Sequence, residues 1–247
     1  MDLDGRIAVV TGAASGIGAA LTTRFRAEGA TVVPVDRVAS EGITVCDVTD
    51  EVAVRTLVDQ VIAERGRIDL FCSNAGITTG VSLDDPDDLW HKAFEVNTMS
   101  HVYAARAVVP HMLANGGGYL LNTASAAGLL TSPGDAPYAV TKHGAVAFGE
   151  WLAIMYGDRG LKVSVLCPMG VSTPLLMDPL AAGEPGAVAV AASGEIVTTE
   201  HVADVVVAGI ATEQFLILPH PQVGTFYAQK ASDPDRWIAG MRRLISR

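Results

Sequence analysis

Short runs of β-branched and apolar residues recur along this chain with helical patterns between most of them, and that alternation limits the possible folds most. The runs are Arg6–Thr11, Ala30–Asp36, Ile43–Cys46, Ile68–Cys72, Tyr119–Thr123, Lys162–Leu166 and Phe215–Leu218. Helical periodicity falls at about 16–28, 50–65, 86–113, 137–157 and 199–212. A strand that is apolar on both faces must be covered on both. Such strands, separated by helices, predict a parallel sheet with helices packed above and below. No linker breaks the rhythm over 247 residues. The expectation is therefore one α/β domain, residues 1–247, built on a doubly wound seven-stranded parallel sheet.

Composition agrees with a packed globule: 49% of residues are apolar and 18% charged. A net charge of −10 argues against nucleic acid and against anionic membrane surfaces. No stretch of about 18 apolar residues predicts a membrane span. Cys46, Cys72 and Cys167 lie far apart, with neither disulfide nor metal-ligand spacing, so a reducing, cytoplasmic setting is expected. The chain runs from Met1 straight into the first strand pattern, and no signal peptide is expected. Asp84, Asp85, Asp87 and Asp88 around Pro86 read as a helix start rather than a metal site.

Between the first strand and the first helix stands Thr11-Gly12-Ala13-Ala14-Ser15-Gly16-Ile17-Gly18. Glycines there let the backbone turn tightly and approach a pyrophosphate at the helix N-terminus. Strand before and helix after are the context the motif requires, so a Rossmann-type, dinucleotide-binding fold is expected. Gly12, Ser15, Gly16, Ile17 and Gly18 are the expected contacts. Asp36 ends the second strand, 18 residues beyond Gly18, where a carboxylate accepts hydrogen bonds from an adenosine ribose. A 2′-phosphate beside it would meet repulsion of about 4 kcal/mol at roughly 4 Å and an effective dielectric of about 20. NAD is therefore favoured over NADP. Arg37 either offsets that repulsion or stacks on the adenine.

Tyr138 and Lys142 stand four apart, on one face of a predicted helix. A free phenol has a pKa of about 10, and bringing it to roughly 7 takes about 4 kcal/mol of preferential phenolate stabilisation. A lysine one turn away supplies part of that.

With the loop and the pair together, the chain resembles the short-chain dehydrogenase/reductase family in its single-domain form. The resemblance runs through nearly the whole chain. The loop fits Thr-Gly-x-x-x-Gly-x-Gly, Asp47-Val48 fits the adenine-contacting Asp-Val, and Ser73-Asn74-Ala75-Gly76 fits Asn-Asn-Ala-Gly with Ser in the first place. Asn97 fits the helix asparagine, Ser125 the serine after the fifth strand, and Tyr138 and Lys142 the Tyr-x-x-x-Lys. The resemblance implies that Tyr138 exchanges a proton with the substrate oxygen, while Lys142 lowers the Tyr138 pKa and binds the nicotinamide ribose. It implies that Ser125 holds the substrate oxygen, Asn97 holds a water on a proton path, and Asn74, Ala75 and Gly76 line the cofactor channel. His143, next to Lys142, points about 100° away and is expected to be structural.

After the sixth strand the family's Pro-Gly becomes Pro168-Met169-Gly170-Val171-Ser172-Thr173. Pro168, Gly170, Val171 and Thr173 are still expected to line the nicotinamide end, with Met169 an apolar wall toward substrate. Residues 174–198 read as a substrate lid with Leu175, Leu176, Met177 and Leu180 and no Lys or Arg; residues 219–247, with Trp237, Met241 and Leu244, read as an extension that packs down. A neutral, apolar secondary alcohol or ketone is the expected partner, since an anion calls for a basic anchor. Arg106 or Arg236 lining the pocket would count against this. Apolar stripes at Val102, Ala105, Val108 and Val109 and at Val146, Phe148, Trp151 and Ile154 predict helix faces buried in a homodimer or homotetramer. The expected activity is NAD-dependent interconversion of alcohol and ketone. The alternative is a non-catalytic NAD sensor, which has no need of Ser125, Asn97, Tyr138 and Lys142 together.

Overall fold

A computed structural model describes residues 1–80, 83 and 86–245, with Leu244 and Ile245 described by backbone alone. The seven strands are β1 (Ile7–Thr11), β2 (Thr31–Asp36), β3 (Thr44–Val45), β4 (Leu70–Ser73), β5 (Gly118–Thr123), β6 (Leu161–Leu166) and β7 (Leu216–Ile217). They form one sheet in the order β3-β2-β1-β4-β5-β6-β7, every pair parallel. This is the expected single Rossmann-like domain. The order reverses between β1 and β4, and the crevice at their carboxyl ends is where open α/β sheets bind ligands.

The helices are α1 (Gly16–Ala27), α2 (Glu51–Arg65), α3 (Asp87–Phe94), α4 (Ser100–Ala114), α5 (Ala127–Leu130), α6 (Ala136–Tyr156), α7 (Pro174–Ala181), α8 (Pro185–Ala192), α9 (Thr199–Ala211), α10 (Gln222–Ser232) and α11 (Pro234–Ile245). One face of the sheet packs Ala8, Val10, Leu70, Cys72 and Leu121 against Leu21 and Phe25 of α1 and Val202 and Val206 of α9. The other packs Val9, Phe71, Leu120 and Val163 against Val54 and Val58 of α2, Ala105 and Val108 of α4 and Leu152 of α6.

Three expectations change here. The helix predicted over 86–113 is interrupted by a π-helical turn, Glu95–Met99, between α3 and α4. Pro86 precedes its first turn, which holds Asp87 and Asp88, while Asp84 and Asp85 lie outside the described residues. Most of the α4 stripe is covered by this chain itself: Ala105, Val108 and Val109 are buried in its own core, and Val102 is half-buried. The α6 stripe splits, with Val146 in the core and Trp151 and Ile154 exposed by 50% and 79%. The C-terminal extension packs down as expected. Val223 is buried against α5 and α6, and Phe226 meets Trp237 at 6.2 Å between ring centres.

Candidate active site

The glycine loop is built by backbone proximity. Gly12 has φ +67°, and a Cβ there would lie 2.9 Å from the Ala75 Cα. A Cβ on Gly18 would lie 2.1 Å from the Gly12 oxygen. A Cβ on Gly16, at φ +54°, would lie 3.1 Å from Thr173 Cγ2. Any side chain at Gly12 or Gly18 would therefore fill the space the loop needs. Thr11 ties the loop to the next strand end: its hydroxyl accepts from Asn74 N–H at 2.9 Å and Ala75 N–H at 3.1 Å. Asn74 donates back to the Thr11 carbonyl at 3.0 Å and accepts from the Thr123 hydroxyl at 3.1 Å. Three strand ends are thus locked together under one crevice.

Ser15 is the N-cap of α1 in extended conformation, with no side-chain cap bond and no acid in the first turn. The first N–H groups of α1 therefore face outward beside a glycine cradle, which fits a pyrophosphate in charge and shape. Asp36 holds the loop from the other side, accepting from Ala14 N–H and Val38 N–H, each at 3.1 Å. Arg37 and Asp47 are exposed at the rim and Val48 is half-buried. Thr49 N–H and hydroxyl bond the Asp47 carboxylate and hold its pKa below the usual range.

Four residues meet at the end of β5. Ser125 follows that strand, buried, with its hydroxyl accepting from Ala127 N–H at 3.1 Å and donating to the Pro168 carbonyl at 3.4 Å. Lys142 lies on α6 with its ammonium buried, donating to the Thr123 carbonyl at 2.9 Å and standing 5.7 Å from the centre of the Tyr138 ring. Asn97 lies in the π-turn, fully buried. Its amide accepts from Ile77 N–H at 2.8 Å and donates to the Ile77 carbonyl at 2.9 Å and the Thr141 hydroxyl at 3.2 Å. A Cβ on Gly76 would stand 3.3 Å from both Asn97 Oδ1 and Lys142 Nζ, so a side chain at 76 would come between them.

Electrostatics depart from the simple pair argument. Burial raises the Tyr138 pKa, and the Ser125 hydroxyl opposes that rise while the charge of Asp135 adds to it. Burial pushes Lys142 down to about 8. Desolvation is the largest cause of both shifts in the protein alone.

The chain matches known proteins along most of its length. Residues 6–182 match the short chain dehydrogenase family. The chain belongs to that family. It is 33% identical over 259 aligned positions to 1-deoxy-11-beta-hydroxypentalenate dehydrogenase of Streptomyces avermitilis, covering 97% of this chain and 93% of the relative. It is 34% identical over 194 positions to D-threitol dehydrogenase of Mycolicibacterium smegmatis, covering 70% and 73%. Its fold superposes with a TM-score of 0.84 on a short chain dehydrogenase/reductase from Burkholderia phymatum in complex with NAD, at 26% identity and covering 95% and 96% of the two chains. Family membership makes this chain an oxidoreductase whose relatives act on hydroxyl groups.

Within the family frame, Pro168, Gly170, Val171 and Thr173 arc from β6 toward the glycine loop, where Thr173 abuts Gly16. The segment 174–198 folds into α7 and α8. Its tip rests on the site: a Cβ on Gly134 would lie 2.4 Å from the Gly186 Cα, and one on Gly80 would lie 3.2 Å from Glu184 Oε2. Arg106 is not in the crevice; it pairs with Glu51 on the exposed side of α4 at 3.1 Å. His143 bonds the Ala139 carbonyl of its own helix at 2.8 Å. Lys230 is the one Lys or Arg between Lys162 and Arg236, and it donates to the Leu129 carbonyl at 2.6 Å.

Sequence reasoning missed three residues at this site. Asp135 is buried and accepts four hydrogen bonds: Tyr138 N–H at 3.0 Å, Thr79 N–H and hydroxyl each at 2.7 Å, and Gly80 N–H at 2.9 Å. Its place three residues before Tyr138 was a legible N-cap signal. His101 lies one turn after Asn97, buried, with no hydrogen-bond partner on either ring nitrogen. His220, after β7, is 2% exposed and receives Met169 N–H at 3.2 Å. Nothing local in the sequence marks the last two.

Proposed function

We propose that this chain is an NAD-dependent dehydrogenase that interconverts a neutral, apolar secondary alcohol and its ketone. The observation that carries the reading is the convergence of Ser125, Tyr138 and buried Lys142 at the end of β5, beside a glycine cradle. Tyr138 takes the proton of the substrate hydroxyl in oxidation and returns it in reduction. Ser125 donates to the substrate oxygen and stabilises the charge that develops on it. Lys142 keeps a positive charge close to the Tyr138 ring and has N–H groups beyond the one given to Thr123 for a ribose hydroxyl. Asn97 spends its amide on Ile77 and Thr141, so it shapes the channel wall; its place in a π-turn leaves backbone carbonyls to hold the water of a proton path. Gly12, Ser15, Gly16, Ile17 and Gly18 receive the pyrophosphate, Asp36 the adenosine ribose, Asp47, Val48 and Arg37 the adenine, and Asn74, Ala75, Gly76, Pro168, Gly170, Val171 and Thr173 the nicotinamide end. When bound, NAD supplies the hydride acceptor.

The carboxylate of Asp36 supports NAD over NADP, and a fold neighbour holds NAD. Exposed Leu175 and Met177 on α7 and a lid without Lys or Arg support an apolar, uncharged substrate. Both named relatives are dehydrogenases of hydroxylated compounds. Buried, free Cys46, Cys72 and Cys167 support a reducing, cytoplasmic setting. Exposed Trp151, Ile154 and Met155 on α6 support a homodimer or homotetramer formed through that face. The test is NADH formation from cyclohexanol and 2-octanol. Wild type turns over at least one of them, and Tyr138→Phe loses at least about 10³ in kcat/KM while its affinity for NAD stays within about twofold. Full activity in that variant overturns the assignment. NAD binding without turnover in wild type favours the sensor reading.

A further inference from the structure

Met169 is where this chain departs from its family's pattern, and a residue 51 positions away holds the departure in place. The His220 ring is buried. Met169 N–H donates to its Nδ1 at 3.2 Å, and its Nε2 stands 3.2 Å from the Glu195 carbonyl. One state of the ring satisfies both contacts: neutral, with the proton on Nε2. Burial lowers the His220 pKa, which favours that neutral form.

The two partners flank the lid. Met169 precedes α7 and Glu195 follows α8. Next to the ring the two segments touch through a parallel bridge of Val171 and Val197, with Val197 N–H on the Gly170 carbonyl at 3.0 Å and Ser172 N–H on the Val197 carbonyl at 2.9 Å. The lid is therefore a closed loop whose base is one bridge and one imidazole. The Met169 side chain lies across that base: a Cβ on Gly194 would stand 3.5 Å from its Cε.

We infer that His220 is a positioning residue, which fixes the separation of Met169 and Glu195 and so sets the substrate-facing wall formed by Met169 and the lid. It acts on substrate binding and leaves hydride transfer alone. The inference rests on the dehydrogenase reading of the site. An apolar side chain at 220 takes away the partner of both the Met169 N–H and the Glu195 carbonyl at part-buried contacts, so both segments open toward water. Glutamine presents an acceptor and a donor in the order the ring does.

The experiment compares wild type, His220→Leu and His220→Gln by steady-state oxidation of cyclohexanol and 2-octanol and by hydrogen exchange over residues 168–173 and 193–199. In His220→Leu, KM for the alcohol rises about tenfold, kcat stays within about threefold, and both segments exchange faster. In His220→Gln, KM and protection return to within about threefold of wild type. Unchanged KM and exchange in His220→Leu, a loss confined to kcat, or a Gln variant no better than Leu overturns the inference. Should His220→Leu fail to fold, His220→Asn decides: its short amide keeps Met169 and releases Glu195, so faster exchange over 193–199 alone supports the inference and unchanged exchange there overturns it. If wild type oxidises neither alcohol, the dehydrogenase reading fails, and exchange in the same variants decides His220 by itself.

Discussion

The Lys142 ammonium stands 5.7 Å from the centre of the Tyr138 ring and donates its 2.9 Å hydrogen bond to the Thr123 carbonyl, with its side chain buried. A charge held there costs stability. Its pKa falls from 10.5 to about 8, so the unfolded chain binds the proton more tightly, and the cost is fully present below about pH 8. It fades as pH rises toward about 10.5, where neither state carries the charge. Lys142→Met is expected to gain about 2 kcal/mol at pH 7: about 3 from the removed charge, less about 1 for the unpaired Thr123 carbonyl. The same variant loses at least about 10³ in turnover. Urea unfolding at pH 7 and pH 10 checks the first claim, since the gain shrinks at the higher pH.

Buried His101 gives a dependence of the same sign in a lower pH window. Burial, helped by the Lys142 charge, pushes its pKa down to about 3. The unfolded chain protonates first as pH falls below about 6.5, so stability is lost between about 6.5 and 3. The loss from this residue reaches about 3 kcal/mol near pH 4. His101→Leu is expected to flatten the acid limb of a stability–pH curve measured by thermal unfolding. An unchanged acid limb would refute this.

Asp36 accepts from Ala14 and Val38 N–H groups and stands where the adenosine ribose of a dinucleotide is expected. Asp36→Ala removes both the ribose acceptor and the repulsion of a 2′-phosphate. KM for NAD is expected to rise about tenfold and KM for NADP to fall by at least as much. Steady-state kinetics with the two cofactors side by side reads this directly.

Asp135 joins the first turn of α6 to the Thr79–Gly80 loop. Asp135→Ala leaves a helix N-terminus uncapped and three other donors without their acceptor, and is expected to cost about 3 kcal/mol. Asp135→Asn keeps an acceptor for Tyr138 N–H and the Thr79 hydroxyl but turns an amide toward Thr79 and Gly80 N–H groups. It is expected to lose about half as much in chemical denaturation.

Thr131 lies between α5 and α6 at φ 82° and ψ 159°, a region that glycine alone enters without strain. Thr131→Gly is expected to stabilise the fold by about 1 kcal/mol, after the loss of chain entropy in glycine is set against the strain. A fall in Tm would overturn this.

Much of this protein was legible along the chain because the signals are local. Strand runs and helical periods gave the sheet and its two covered faces, and their bounds differ from the structure mostly by a residue or two. The glycine loop was readable because strand, turn and helix follow one another, and Tyr138 and Lys142 because a helix brings residues four apart together. Periodicity misled where burial has two possible causes. The α4 stripe at Ala105, Val108 and Val109 reads the same whether it faces another subunit or its own core, and only packing against α2 and β5 shows the latter.

Lone residues that work through distant partners left no pattern. The chain by itself determined a doubly wound sheet, a phosphate loop and a tyrosine–lysine pair, because periodicity and spacing encode them within a few residues. Tertiary structure alone decided that Asn97 sits in a π-turn bonded to Ile77, that Asp135 ties the Tyr138 helix to Thr79, and that His220 closes the base of the lid. Each of those contacts spans about 20 to 56 positions. Such pairings exist only once the sheet has brought its carboxyl ends together, since an isolated side chain carries no record of the partner that folding will place against it.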